Sequence, residues 1–281
     1  MAHSITSMAL FCDFENIALG VRDAQYAKFD IDRVLERLLL KGSIVVKKAY
    51  CDWDRYKDFK KPMHEASFEL IEIPHVKISG KNSADIRLVV DALDLCYTKA
   101  HVDTFVIISG DSDFSPLVSK LRENNKTVIG VGVKSSTSDL LIANCDEFIY
   151  YDDLVRQEEK KRHQRARRKQ PAAAKQTAAA GTETPKAAKP EASEEDRKQQ
   201  AFDLVLDTID ALAEERDQDE KIWGSMVKQT LKRRNPGFNE SYFGFRTFSD
   251  LLEEAQQRKL LTLEADQKSG GYIIRRAPRP E

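Results

Sequence analysis

Histidine is scarce in this chain, and cysteine is scattered. The 281 residues include five histidines (His3, His64, His75, His101 and His163). They share no ligand spacing, so neither a paired-histidine ribonuclease site nor a His-based metal centre is suggested. The four cysteines (Cys12, Cys51, Cys96 and Cys145) form no C-x-x-C pair. That argues against a zinc site and against a disulfide framework, and makes a reducing cytoplasm the expected compartment. No apolar run approaches a membrane span. The N-terminus MAHSITSMAL has no basic n-region and no long apolar h-region, so no secretory signal is expected. G-x-S-x-G is absent, which removes a nucleophile elbow. No G-x-G-x-x-G follows the first apolar run, which removes a dinucleotide fingerprint. An excess of one charge is missing too: 45 Lys+Arg against 46 Asp+Glu leave a net −1. A uniformly basic nucleic-acid binder is thereby excluded.

The near-zero total hides a segregation. Residues 1–155 carry 19 basic and 24 acidic side chains, residues 156–200 carry 13 and 7, and residues 201–281 carry 13 and 15. The middle segment has almost no large apolar residue, so it cannot bury enough surface to offset its chain entropy. It reads as a basic, Ala/Pro-rich flexible linker, its first part (156–169) extending the preceding segment as a basic helix. Two domains, 1–155 and 201–281, are expected on either side.

In the first domain, short β-branched or aromatic runs look like strands: 8–14, 43–53, 75–79, 104–110, 127–133 and 147–151. Between them lie helical patterns at 31–42, 62–72, 83–100, 113–124 and 135–145, with Ser83 and Ser135 or Ser136 as N-cap candidates. Strands alternating with helices predict a three-layer α/β/α domain with a mainly parallel sheet, and near-continuous apolar strands fit a sheet covered on both faces.

In such a sheet, ligands bind beyond the carboxyl ends of the strands. The acids fall there. Asp13 ends the first strand and is followed by Glu15 and Asn16. Asp111 and Asp113 follow TFVIISG, and Asp85 sits in the first turn of a helix. Each acid alone has an ordinary reading as a turn former or a cap. Together, converging carboxylates repel one another, and Mg²⁺ or Mn²⁺ with oxygen ligands relieves that repulsion. Lys81 is placed to meet a phosphate, although an exposed lysine is more often solvated surface. Ser109, Gly110 and Ser112 offer hydroxyl or backbone donors, and are equally ordinary turn residues.

CDFENIALG, GKNSADIRLVVDAL, VIISGDSDFSPLVSKLRENNKTVIGVGV and CDEFIYYDDL resemble, in order and spacing, the NYN domain of the LabA-like family, within the PIN-like nuclease superfamily. The resemblance spans about residues 8–154. It implies a PIN-like fold and metal-dependent hydrolysis of RNA phosphodiester bonds by an endoribonuclease, leaving a 5′-phosphate and a 3′-hydroxyl. It marks Asp13, Asp85, Asp111 and Asp113 as metal-binding acids and Asn16 as a polar partner beside Asp13. Asp91 and Asp146 also match the family's pattern. Asp91, six residues beyond Asp85, belongs to another helix face, and Asp146 starts the last strand.

The last 80 residues read as three helices (199–215, 223–236 and 247–259) followed by a hairpin, a small winged-helix pattern. WGSMVKQTLKRRNPGFNESYFGFRTFSDLLEEAQQRKLLTLE resembles the LOTUS domain, also called OST-HTH, across about residues 200–276. The resemblance implies an RNA-binding or a protein-binding module. Lys228, Lys232, Arg233, Arg234 and Arg246 are candidates for phosphate contact, and Tyr242 or Phe243 for stacking on a base. Phe238, Phe245, Phe248, Leu251 and Leu252 are expected in the core. The run KKRHQRARRK (160–169) is either a nonspecific RNA contact or a solvated, partly helical tail. The expected function is a metal-dependent ribonuclease with an RNA-targeting module. The alternatives are a catalytically weak RNA-binding adaptor of the same fold and a haloacid dehalogenase-like phosphatase, for which Glu15 stands where the second Asp is needed.

Overall fold

The structure, a computed structural model, describes residues 6–73, 83–159, 194–214, 221–265 and 272–276. The strand expected at 75–79, Lys81 and the run 160–169 lie outside the described residues. The chain divides into two compact units, one of Met1–Val155 with Lys232–Phe238 and the other of Arg156–Leu231 with Asn239–Glu281.

The first unit is built on six strands: β1 (Ser7–Asp13), β2 (Ser43–Cys51), β3 (Glu69–Glu72), β4 (Thr104–Ile108), β5 (Thr127–Gly132) and β6 (Glu147–Tyr150). All neighbours pair in parallel, in the order β3-β2-β1-β4-β5-β6. Parallel strands need crossover connections, usually helices, and such crossovers are right-handed in nearly all proteins. The first half of the chain therefore lays α1 (Phe14–Asp23), α2 (Ile31–Leu39) and α3 (Lys57–Glu65) on one face as it builds outward from β1 to β3. The chain then returns to the other side of β1. From there, α4 (Ser83–Thr98), α5 (Ser115–Glu123) and α6 (Asp139–Asn144) cover the opposite face. Residues 151–159 form a last helix, α7, whose Tyr151, Leu154 and Val155 return to the first face.

Two hydrophobic cores result, one on each side of the sheet. Strand residues alternate between them: Met8, Leu10 and Cys12 join α1–α3, and Ala9 and Phe11 join α4–α6. All four cysteines are free and buried, acting as small apolar side chains.

Several element boundaries differ from the sequence expectation. The helix placed at 62–72 is α3 at Lys57–Glu65, and Glu69–Glu72 is a strand. Ser67, at φ 61°, stops the helix, and FELIEI alternates as an edge strand does, with Leu70 packing on one core and Ile71 on the other. Helix α1 starts immediately after β1 with no loop between, so its apolar positions merged with the strand pattern. The cap of α6 is Ser138, which accepts the Leu140 N–H at 3.2 Å, rather than Ser135 or Ser136. Asp111, rather than Asp113, caps the 3-10 turn Ser112–Phe114.

The second unit contains α8 (Glu194–Glu214), β7 (Ile222–Trp223), α9 (Gly224–Arg234) as far as Leu231, α10 (Phe248–Gln257), β8 (Leu261–Ala265) and β9 (Tyr272–Arg276), with an antiparallel sheet in the order β7-β9-β8. Helix α8 buries Phe202, Val205 and Ile209, one helical face. Phe238, Phe245, Phe248, Leu251 and Leu252 are buried, as their aromatic and apolar pattern requires. Gly244 turns the chain at φ +92°, a conformation glycine adopts without strain. Helix α10 then opens with a reciprocal capping box between Thr247 and Asp250. Among the described residues no helix is long and apolar enough to cross a membrane.

Candidate active site

The carboxyl ends of β1 and β4 lie side by side where the strand order reverses, the position at which an open parallel sheet leaves a crevice. Strand parity decides what enters it. Asp13 follows Ala9 and Phe11 on the α4 side of β1, and Ser109 follows Phe105 and Ile107 on the same side of β4. The Ser109 hydroxyl donates to Asp13 Oδ2 at 3.0 Å, joining residues 96 positions apart. The Asn16 backbone N–H donates to Asp13 Oδ1 at 3.3 Å, so Asp13 also caps α1. The Asn16 side-chain oxygen accepts the Gly110 N–H at 2.9 Å, and Ser109 Oγ accepts the Asp111 N–H at 3.2 Å. Asp111 Oδ1 in turn accepts the Asp113 N–H at 3.0 Å. A short chain of hydrogen bonds thus holds the loop 109–113 against the start of α1. Gly110 is needed there, because a Cβ would come within 2.6 Å of the Ser136 carbonyl oxygen.

Asp13 is only 7% exposed. Burial raises its carboxyl to about 7, and the charges of Asp85 and Asp111 push in the same direction against the hydrogen bonds from Asn16 and Ser109. Asp85, in the first turn of α4, is raised by burial and by the charges of Asp111, Asp113 and Glu15. Asp13, Asp85, Asp111, Asp113 and Asn16 therefore share one electrostatic site. The charges acting most on Asp13 and Asp85 are all negative. Oxygen donors that repel one another are the set a hard divalent cation fits. Among the described residues, however, no three His, Cys, Asp or Glu side chains are close enough to hold a metal ion as they stand. The match to Mg²⁺ or Mn²⁺ is one of charge and donor type.

Asp91 and Asp146 stand apart. Asp91 accepts from Tyr50 Oη at 2.9 Å, Arg87 Nε at 3.0 Å and Lys48 Nζ at 3.3 Å. Burial alone would raise its carboxyl, but these donors outweigh it and hold the group below the usual carboxylate range. Asp146 accepts the Val128 N–H at 2.8 Å and pairs with Arg122 Nε at 3.2 Å, tying the start of β6 to β5. Glu15 pairs with Arg55 at 3.1 Å. Arg55 carried no motif signal; its only clue was its position just after β2, at the same sheet end as Asp13.

In the second unit, Lys228 is engaged with Glu240 at 2.9 Å. Lys232, Arg233 and Arg234, which group with the first unit, form the last turn of α9, with Arg233 and Arg234 exposed. The Tyr242 ring is half-buried and meets Phe243 edge-on at 4.9 Å, and Arg246 is exposed.

A family model for the NYN domain matches residues 7–152, just over half of the chain. This chain belongs to the NYN-domain family. NYN is a PIN-like nuclease family, and the six-stranded parallel sheet flanked by helices is its expected fold. Curated relatives include the meiosis regulator and mRNA stability factor 1 of Xenopus tropicalis, 25% identical over 155 residues, 55% of this chain and 9% of that protein. An uncharacterised protein of Methanocaldococcus jannaschii is 29% identical over 112 residues, 40% of this chain and 43% of that one. The chain thus spans less than half the length of either. A solved protein of unknown function from Vibrio parahaemolyticus aligns with a TM-score of 0.49 at 27% identity, over 55% of this chain and 98% of that one.

Proposed function

We propose that the protein is a metal-dependent endoribonuclease whose reaction centre is the acid cluster at the β1–β4 crevice. The observation that carries this is the buried Asp13, held by Asn16 and Ser109 in the field of Asp85 and Asp111. Asp13, Asp85, Asp111 and Asp113 would hold Mg²⁺ or Mn²⁺. Such an ion supplies Lewis-acid charge to a phosphoryl oxygen and lowers the pKa of water. The chain's own residues do the rest. Asn16 and Ser109 fix the orientation of the Asp13 carboxylate. Ser109 and Asn16 also pin the loop that presents Asp111 and Asp113. Burial of Asp13 keeps bulk water away from the charge and strengthens whatever it binds.

RNA as substrate is supported by membership of a PIN-like nuclease family and by the likeness to an mRNA stability factor. Residues 1–155 are assigned to the nuclease, residues 156–200 to a basic tether, and residues 201–281 to a LOTUS-like winged helix that captures RNA through Lys232, Arg233, Arg234 and Arg246 or engages a protein partner. The cytoplasm is the proposed compartment.

One observation favours a second reading, an RNA-binding adaptor with weak or no catalysis: the carboxylates are not drawn within common coordinating reach. The test is cleavage of varied RNAs with Mn²⁺ or Mg²⁺ by wild type, Asp13→Asn and Asp111→Asn. We expect each substitution to slow cleavage about 100-fold or more. RNA that stays intact with wild type, or is cut equally well by both variants, would sink the nuclease reading.

A further inference from the structure

Beside α1 the first unit contains a cavity of about 240 Å³. Sites for drug-sized ligands run to roughly 300–1,000 Å³, so this one suits a single ring system rather than a whole cofactor. Its walls include four aromatic rings, Tyr26, Phe29, Tyr56 and Phe59. Among the described residues, the charged ones lining it are Arg22 and Lys28, with no carboxylate beside them. Lys28 Nζ stands 4.4 Å from the centroid of the Phe59 ring and donates to the Asp58 carbonyl at 3.3 Å. No ion pair of Lys28 occurs among the described residues. Arg22 pairs with Asp23 at 3.4 Å, but both side chains are well exposed, so the pair is easily exchanged for another anion. Aromatic walls with two cations and no acid fit a nucleobase and the phosphate next to it. A purely apolar ligand would leave both charges unused.

The cavity is linked to the acid site through the chain and through ring contacts. Helix α1 starts directly after Asp13, and Arg22 lies nine residues on, about 13 Å along the axis at 1.5 Å per residue. Glu15, whose charge acts on Asp85, pairs with Arg55, and Tyr56 of the cavity wall follows Arg55 in the chain. The Phe14 ring, next to Asp13 in sequence, packs against both Tyr56 and Phe59 at 5.5 and 4.9 Å.

We propose that this cavity takes one base of an RNA strand whose backbone crosses the acid cluster, the ring lying against Tyr56 and Phe59 and the adjoining phosphate meeting Lys28 and Arg22. It rests on the nuclease reading for the identity of the strand and adds where that strand is gripped. Stacking accepts any base, so little sequence preference is expected at this position.

The test uses the full-length chain and a labelled single-stranded RNA, with Ca²⁺ present to neutralise the carboxylates and strand integrity checked on a gel. Phe59→Leu keeps apolar volume and removes the ring, and Lys28→Gln keeps the stem and removes the charge. We expect each to bind RNA about tenfold more weakly at an unchanged melting temperature, and RNA carrying 4-thiouridine to cross-link to the peptide holding Tyr56 and Phe59. Wild-type affinity in both variants, or cross-links confined to other segments, overturns the proposal. RNA that is gripped here yet stays intact when Mn²⁺ or Mg²⁺ replaces Ca²⁺ supports the cavity and refutes the nuclease. RNA that is cut, with both variants binding normally, does the reverse. A wild type that binds no RNA overturns both.

Discussion

Asp13 has two jobs that pull its proton in opposite directions. As a helix cap and as an acceptor from Ser109 it is best charged; buried beside Asp85 and Asp111 it is best neutral. Burial wins, and the carboxyl titrates at about 7. A folded-state value raised above the ordinary 3.8 means that the folded protein binds this proton more tightly than the unfolded chain does. The associated stability is present at acid pH and is lost as pH rises toward 7, amounting to about 4 kcal/mol at most. Asp85 shifts in the same direction. We therefore expect the metal-free protein to melt at a lower temperature at about pH 8 than at about pH 5, with Mn²⁺ restoring much of the difference. Asp13→Asn should flatten the slope. A melting temperature that rises between those two conditions in EDTA would contradict the assignment. The sequence made the acids visible as residue types at strand ends. It could not show burial, which depends on what packs above Asp13, or that Ser109 rather than Ser112 is the hydroxyl that reaches it.

At the scale of elements, strands were legible wherever both faces were covered, because β1, β4 and β5 read as unbroken apolar runs. Edge strand β3 was not, since its FELIEI pattern with one exposed side also fits a helix end. The same ambiguity hid α1, fused to β1 without a turn. Helix α4 illustrates a different point. It carries Asp85 to the site, while its Asp91, which the family pattern groups with the site acids, faces the sheet and ties α4 to β2 through Tyr50 and Lys48. Asp91→Ala would take the acceptor from the buried Tyr50 hydroxyl and leave the Lys48 ammonium with Glu69, at 3.6 Å. We expect a loss of about 2–3 kcal/mol in denaturant unfolding. Cleavage by the remaining folded protein should change far less than in Asp13→Asn, and an equal collapse of activity at unchanged stability would put Asp91 in the chemistry.

Over the whole molecule, a net charge of −1 is a sum of parts with different properties. The first unit concentrates uncompensated acids at one crevice, whereas Arg233 and Arg234 stand exposed at the end of α9. The expectation of two domains came from the composition of residues 156–200, which lacks the apolar residues a core needs. What the second unit binds was not legible, since its aromatic residues are mostly spent on its own core. If Lys232 and Arg233 meet phosphates, replacing either by Gln in the full chain should weaken RNA binding uniformly across sequences. The slope of log K against log salt should then fall by about one per residue. Unchanged slopes would leave protein recognition as the better account of the proposed C-terminal module.

The hydrogen bond from Ser109 to Asp13 has a further consequence in time. It closes over 96 residues of chain, and it depends on β4 docking beside a β1 that was synthesised long before. Pairings of such long sequence separation carry a large loop-closure entropy, so we expect them to form after the local helices and the β1–β2 crossover. A growing or partly unfolded chain would then carry every acid of the site without assembling it. The acid site would be assembled only once β4 has docked on β1, and local fraying at the β1–β4 seam would take it apart first.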